Sequence, residues 1–211
     1  MNMKEINNTE NNTENKESKK VNILVVLALL ILIVVVIGVA ITSFFFTTKN
    51  QTHNTINSGN ISLQYTEDTN GITITDAMPM TDATGKKLSG IGEYFDFSIL
   101  STISGNAKID YEVSAEKVGD CTLTNDEVRL YLEEENNGIY ESVMEPKSFT
   151  PISEQTSIGT PEGVMILDSG SFTGNDDVHY RLRMWVAEDT EISELSRRFA
   201  VQVLVNAKIE T

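Results

Sequence analysis

Apolar and polar side chains alternate without a break in Ala107-Lys108-Ile109-Asp110-Tyr111-Glu112-Val113-Ser114-Ala115-Glu116. A period of two places the apolar residues on one face of a β-strand and the polar residues on the other. The stretch therefore predicts a sheet with one face packed on a core and the other face in water.

The same alternation recurs on both sides of this stretch, with turn residues between the segments. The further predicted strands are 61–66, 72–75, 94–100, 128–133, 139–143, 164–167, 178–186 and 199–209. Asn136-Asn137-Gly138 supplies residues that tolerate positive φ in a hairpin. About nine short strands without helical segments between them predict an all-β fold, an antiparallel jelly-roll-like sandwich.

Three connections are predicted to lie outside the strands. Residues 77–92 and 145–163 contain prolines and glycines and lack periodicity, which is typical of irregular loops. A single helical turn is predicted around Glu191 to Arg197. Arg129 and Glu133-Glu134-Glu135 are predicted to be solvated.

The segment Val21 to Phe46 contains no ionisable side chain. Residues 21–41 are nearly all branched aliphatic, and a helix of them would extend about 30 Å, the thickness of a bilayer's hydrocarbon core. The segment is longer than the core of a secretory signal peptide, and bulky rings at 44–46 occupy the place of a cleavage site. An uncleaved single transmembrane helix over 21–46 is favoured over a removed signal.

Basic residues flank only the N-terminal end of this segment, since Lys16, Lys19 and Lys20 precede it and only Lys49 follows it closely. By the positive-inside rule the N-terminus is cytoplasmic and the C-terminal domain is extracellular, at the cell membrane. The predicted organisation is a disordered cytoplasmic tail at 1–20, a transmembrane anchor at 21–46, a polar linker at 47–58 and an extracellular β-sandwich domain at 59–211.

Composition excludes several classes of function. The formal net charge is −15, and the exported domain carries it because the charges of the tail cancel. Such a surface repels phosphate backbones, so we expect no nucleic-acid partner. Cys121 is the only cysteine, so no intrachain disulfide can form. With only His53 and His179 as histidines and no zinc motif, we predict no catalytic residues, no metal site and no cofactor.

Two segments at the start of the domain resemble a known family. Phe45-Phe46-Thr47-Thr48, followed by Asn54-Thr55-Ile56-Asn57-Ser58-Gly59-Asn60-Ile61-Ser62-Leu63, is similar to the start of the TasA/camelysin family of exported bacterial proteins. In that family an aromatic pair precedes an Asn-x-Phe/Ile-x-(Ala/Ser)-Gly-x-(Leu/Ile)-x-Leu strand. Ala77-Met78-Pro79-Met80-Thr81-Asp82 and Tyr180-Arg181-Leu182-Arg183-Met184-Trp185-Val186 resemble segments of small anchored Gram-positive proteins of this kind.

The resemblance covers Phe45 to Ile209 and implies an exported jelly-roll sandwich. For the TasA branch it also implies assembly into matrix fibres, in which each subunit lends an N-terminal strand to the next. Two features depart from the family: the uncleaved anchor would keep that strand beside the membrane, and Phe44 stands where the cleavage signal usually has a small residue. Camelysins are named as metallopeptidases, but no peptidase motif can be placed on this chain.

Three groups of residues are candidate sites. His179, Asp176, Asp177 and Arg181 could serve a metal or acid–base role, but an exposed strand face is favoured. Gly174-Asn175-Asp176-Asp177 could hold calcium through oxygens, yet it lacks the spacing and final Glu of an EF-hand loop, so a turn is favoured. Arg181, Arg183 and Trp185 could form a cation–π binding strip, but neighbours that brace a sheet face are favoured.

The sequence thus predicts a membrane-anchored extracellular structural or assembly protein of the bacterial cell surface, as a fibre or matrix component. Assembly would use strand exchange of Asn60 to Thr66, with Ile61, Leu63 and Tyr65 inserted into another copy or a related subunit. The alternative is an anchored ligand-binding module or a camelysin-like surface hydrolase. The first function is favoured because the sequence contains no nucleophile–base pair, metal set or Gly-rich phosphate loop.

Overall fold

A computed structural model describes residues 45–47, 53–58, 61–191 and 197–210, with the backbone alone for 45–47 and 53–58. The described strands are β1 (Phe45–Thr47), β2 (His53–Ser58), β3 (Ile61–Glu67), β4 (Ile72–Thr75), β5 (Tyr94–Ile103), β6 (Lys108–Lys117), β7 (Val128–Asn136), β8 (Ile139–Lys147), β9 (Met165–Phe172), β10 (Asp176–Val186) and β11 (Arg198–Glu210). The described helix α1 spans only Asp82–Gly85.

The strands form two antiparallel sheets. The first sheet has the order β1-β11-β6-β9, and β4 also pairs with β11, at the opposite end from β1. The second sheet has the order β2-β3-β5-β10-β7-β8. Alternate side chains of both sheets form one buried core, among them Ile109 and Val113 of β6 and Leu130 and Leu132 of β7. The predicted all-β antiparallel class is confirmed.

The membrane prediction lies almost wholly outside the described residues. The tail at 1–20 and the anchor at 21–46 are not described, except for Phe45 and Phe46. Within the ranges that the structure describes, no helix has the length and apolar character needed to cross a bilayer.

The N-terminal boundary of the domain differs from the prediction. Phe45 and Phe46, assigned to the end of the anchor, lie in β1 and pair with Ala207 and Lys208 of β11. The predicted linker at 47–58 contains β2, which pairs with β3 along its whole length. Because β2 is polar and lacks alternation, its sequence resembles a linker, yet it pairs with β3 as a strand. The sandwich therefore begins by Phe45 rather than at residue 59.

The predicted loop at 77–92 is an ordered cover on the second sheet. It contains α1, whose N-cap Thr81 accepts a hydrogen bond from the Thr84 backbone N–H. Gly85 packs against the indole of Trp185, so closely that an added Cβ would lie 2.2 Å from a ring carbon. Met80 forms an isolated bridge with Ala187, just after β10. The helical turn predicted around Glu191 to Arg197 falls mainly on residues that are not described.

Candidate binding groove on the second sheet

A cation stacked between two aromatic rings dominates the outer face of the second sheet. Arg181 of β10 lies opposite Asp96 of β5, and its Nε and Nη2 donate to the two carboxylate oxygens at 2.7 Å each. The guanidinium carbon is 4.1 Å from the ring centroid of Tyr94 and 4.2 Å from that of Tyr140. The hydrogen bonds to Asp96 raise the pKa of Arg181. Fork geometry and stacking together fix the position of the Asp96 carboxylate.

An open groove of about 280 Å³ lies beside this stack. Its floor is formed where Thr66, Ser98 and His179 are direct neighbours on β3, β5 and β10. Phe97 and Tyr180 contribute to the floor, but both are buried residues of the core beneath it. The full lining is Thr66, Asp68, Asp96, Phe97, Ser98, Tyr140, His179 and Tyr180.

His179 lies at the rim of the groove beside an acidic neighbour. Its Nε2 lies 3.3 Å from a carboxylate oxygen of Asp177, and both side chains are about half exposed, at 49% and 51%. The predicted constellation is thus only partly assembled, since Arg181 is engaged by Asp96 and the Asp176 carboxylate accepts from the Asp177 backbone N–H. No group of three metal-ligating side chains occurs among the described residues.

Residues 174–177, for which a turn was favoured over a calcium loop, use their oxygens in hydrogen bonds to β5. Asn175 Oδ1 accepts the backbone N–H of Ile103 at 2.9 Å, and Ser101 Oγ donates to the carbonyl of Gly174 at 2.8 Å. These bonds tie the turn to the end of β5 and support the interpretation as a turn.

The other half of this sheet face is closed by the 77–92 loop. Arg183 forms a buried ion pair with Glu133, and its Nε donates to the carbonyl of Leu88 at 2.6 Å. Tyr131 Oη donates to the second carboxylate oxygen of Glu133 at 3.1 Å. Burial lowers the pKa of Arg183. The prediction that Glu133 is solvated is therefore wrong, because a segment distant in sequence covers this residue.

The predicted assembly residues lie in the domain's own core. β3 is hydrogen-bonded to β2 on one side and to β5 on the other, so it is an interior strand and is not the first of the sandwich. Ile61, Leu63 and Tyr65 are buried, and the Tyr65 ring packs 6.0 Å from that of Phe97. They could enter a neighbour only by leaving this core.

Sequence reasoning identified Arg181 and His179 but missed Asp96, Tyr94 and Tyr140. Tyr94 and Asp96 lie on β5 and Tyr140 lies on β8, and only strand register brings these distant strands to Arg181. The alternation in 94–100, which places Tyr94 and Asp96 on the polar face, was the one local signal available for two of them.

Comparisons with known proteins add no family. No protein-family model and no curated protein matches the chain. A solved structure described as "AvmM Catalyzes Macrocyclization in Alchivemycin A Biosynthesis" is similar over 57% of this chain and 67% of that chain, at 12% identity and a TM-score of 0.24. A likeness this weak carries no argument about fold or function.

Proposed function

We propose that the chain is a structural protein of the bacterial cell surface, of the TasA/camelysin kind, anchored by the apolar segment upstream of Phe45. In this proposal its sandwich is extracellular and assembles with copies of itself, or with a related subunit, by exchange of N-terminal strands. The observation that supports assembly is the edge strand β2, which is hydrogen-bonded along one side only within the residues that the structure describes.

The two edges of the second sheet differ in how they resist pairing. β2 has the sequence His53-Asn54-Thr55-Ile56-Asn57-Ser58, without Lys, Arg, Asp, Glu or Pro, and it pairs only with β3 in the part of the chain described. β8 carries Glu141, Glu145 and Pro146, and its register with β7 shifts twice. Charges, proline and bulges are devices that block edge-to-edge association. β8 has all three and β2 has none.

The exchanged segment in this proposal is 45–58, in place of Asn60 to Thr66. Releasing β3 would remove three apolar side chains from the core, at roughly 1.5–3 kcal/mol each. β1 and β2 each pair along one side only within the described residues, so their release leaves the buried side chains of β3 in place. The exposed edge of β3 could then accept the same segment from a neighbour.

Register-directed cross-linking tests the exchange. Thr55 lies directly opposite Gln64, so cysteines at these positions are close enough to oxidise when β2 pairs with β3. Two differently tagged full-length chains, one Thr55→Cys and one Gln64→Cys, both with Cys121→Ser, are expressed together. Exchange predicts a disulfide that joins the two differently tagged chains.

The control pairs Thr55→Cys with Thr102→Cys, which lies on β5 and not opposite β2, and this pair should not cross-link. A third chain carrying both Thr55→Cys and Gln64→Cys reports the closed form. If this chain forms only its internal disulfide and the mixed chains form none, the domain is a closed monomer and the assembly proposal is wrong. Leu63→Asp is unsuitable as a probe because Leu63 is 2% exposed and its loss would unfold the core.

Topology is tested independently. Protease added to intact, wall-stripped cells should digest the sandwich and spare the N-terminal tail, because basic residues flank only the N-terminal side of the apolar segment. If the sandwich survives in intact cells but is digested after lysis, the predicted orientation is wrong. The proposal includes no catalytic activity, and chelator-sensitive peptidase activity that is lost in His179→Ala would overturn that part.

A further inference from the structure

We infer that the groove beside the Tyr94–Arg181–Tyr140 stack is a binding site for a single neutral sugar ring, such as the end of a glycan chain. Its volume of about 280 Å³ is just below the range of roughly 300–1,000 Å³ that is typical of small-molecule sites. One ring suits this space better than a larger ligand. The lining residues come from the β3 to β8 region, and none belongs to the segment proposed for strand exchange.

The groove exists because two short side chains lie among long ones. Thr66 and Ser98 are direct neighbours across β3 and β5, and His179 continues the row on β10. The longer Asp96 and Tyr140 side chains rise beside this row as parts of the arginine stack. A sugar ring can therefore lie over Ser98, with the polar side chains of the groove around its edge.

The Asp96 carboxylate of the groove is held in place before any ligand arrives. Each Asp96 oxygen accepts one N–H from Arg181, which leaves further lone pairs for hydroxyl donors. Arg181 is itself fixed between two rings, and His179 lies beside Asp177. Binding then requires less ordering of side chains, which favours affinity in a shallow site.

The chemistry of the lining matches a polyol. Carboxylates of Asp68 and Asp96 accept hydrogen bonds, while the Ser98 hydroxyl and the His179 imidazole can donate or accept. Sugar hydroxyls offer both roles, and the C–H face of a pyranose can pack on the exposed part of the Tyr140 ring.

Two other ligand classes fit less well. Anions would be repelled by Asp68 and Asp96, since Arg181 is already paired. An apolar ligand would strip water from the carboxylates without replacing their hydrogen bonds. A cation would match the charge of Asp68, and the experiment separates this third class from a sugar.

Ligand-observed saturation-transfer NMR on the full-length chain, in a detergent without a sugar headgroup, tests the site. The probes are the methyl glycosides of glucose, galactose, mannose and N-acetylglucosamine, with glucosamine as a cation and glucuronate as an anion. At least one neutral glycoside should bind saturably. Ser98→Val fills the floor and should weaken that binding at least about tenfold, whereas Thr102→Val, outward on the same strand but outside the groove, should leave it within about twofold.

A second variant guards against misfolding of Ser98→Val. Asp68→Asn changes an exposed turn residue at the groove and should weaken the same glycoside about threefold, with an unchanged circular dichroism spectrum. The inference is overturned if no neutral glycoside binds, or if folded Ser98→Val and Asp68→Asn bind as the wild type does. Preferential binding of glucosamine that disappears in high salt would also overturn it, in favour of a cation site.

Discussion

Arg181 and Arg183 lie two residues apart on the same face of β10, yet they differ in exposure and in what surrounds them. The Arg183 side chain is 8% exposed, under the 77–92 loop, and pairs with Glu133. The Arg181 side chain is 20% exposed, between two tyrosines, and pairs with Asp96 beside an open groove. One sheet face is thus divided into a closed half and an accessible half.

The two pairs differ in what surrounds the charges. Burial lowers the pKa of Arg183, because desolvation disfavours its charged form, whereas hydrogen bonds to Asp96 raise the pKa of Arg181. At the closed pair, Tyr131 Oη and the Leu88 carbonyl satisfy further polar atoms. The closed pair therefore holds the loop in one position, while the open pair fixes a carboxylate at a surface that a ligand can reach.

The largest expected effect follows from removing Glu133. Glu133→Ala leaves the Arg183 charge buried without its carboxylate, so the free energy of unfolding should fall by about 3–5 kcal/mol. Urea unfolding of the full-length chain, followed by circular dichroism, measures the change. The control is Glu133→Leu with Arg183→Met, which removes both charges and should recover most of the loss. A loss under about 1 kcal/mol for Glu133→Ala would mean that water reaches Arg183 and that this half is not closed.

The second prediction concerns the loop itself. Gly85→Ala places a Cβ about 2.2 Å from the Trp185 ring, so the loop must shift away, at a cost of roughly 1–3 kcal/mol. Trp185 is the only tryptophan, so its fluorescence should move to longer wavelength as water reaches the indole. Gly174→Ala is the matched control, since nothing lies within 4 Å of its added Cβ. Unchanged emission in Gly85→Ala would show that the loop is not fixed by this contact.

The open half should be less sensitive. Arg181→Lys loses the two-pronged bond to Asp96 and the stacking on Tyr94 and Tyr140, but solvent screens what remains. We expect destabilisation of about 1 kcal/mol, well below that of Glu133→Ala. A double-mutant cycle with Asp96→Asn measures the coupling. Coupling above about 3 kcal/mol would mean that the Arg181–Asp96 pair is as strong as a buried ion pair, and the two halves of the sheet face would then not differ in this respect.

The sequence predicted the half of the sheet whose pattern is local. Alternation in 178–186 located β10 and placed Arg181, Arg183 and Trp185 on its polar face, as found. It could not show that Trp185 and Arg183 are buried, because the cover is a loop about 100 residues earlier with no periodicity of its own. Burial by a distant segment leaves no mark on local periodicity.

The groove and the edge strand were missed for related reasons. Tyr140 meets Arg181 only through the pairing of β8 with β7 and of β7 with β10. β2 pairs with β3 along its whole length, but its Asn- and Thr-rich composition matches a linker equally well. Strand register determines both features. Register depends on which strands pair in the assembled sheet, and the local pattern of one segment does not show that pairing.

The smallest expected effect comes from Glu134, the neighbour of Glu133 on β7, which is only partly buried. Burial, followed by repulsion from Asp168, Asp176 and Glu141, raises its pKa above the ordinary 4.5. The native state therefore binds this proton more tightly than the unfolded state, so ionisation of Glu134 reduces stability as the pH rises above about 4.5 and through the raised value.

Glu134→Gln removes that penalty and should stabilise the protein at pH 7 by a few tenths of a kcal/mol, the small size reflecting solvent screening. The gain should vanish below about pH 4, where Glu134 of the wild type is protonated in both the native and the unfolded state. Urea unfolding at pH 4 and pH 7 measures both values. Since Glu133→Ala is expected to destabilise and Glu134→Gln to stabilise, adjacent glutamates on one strand should give opposite signs. A destabilised Glu134→Gln at pH 7 would mean that the Glu134 carboxylate has a favourable partner in the native state.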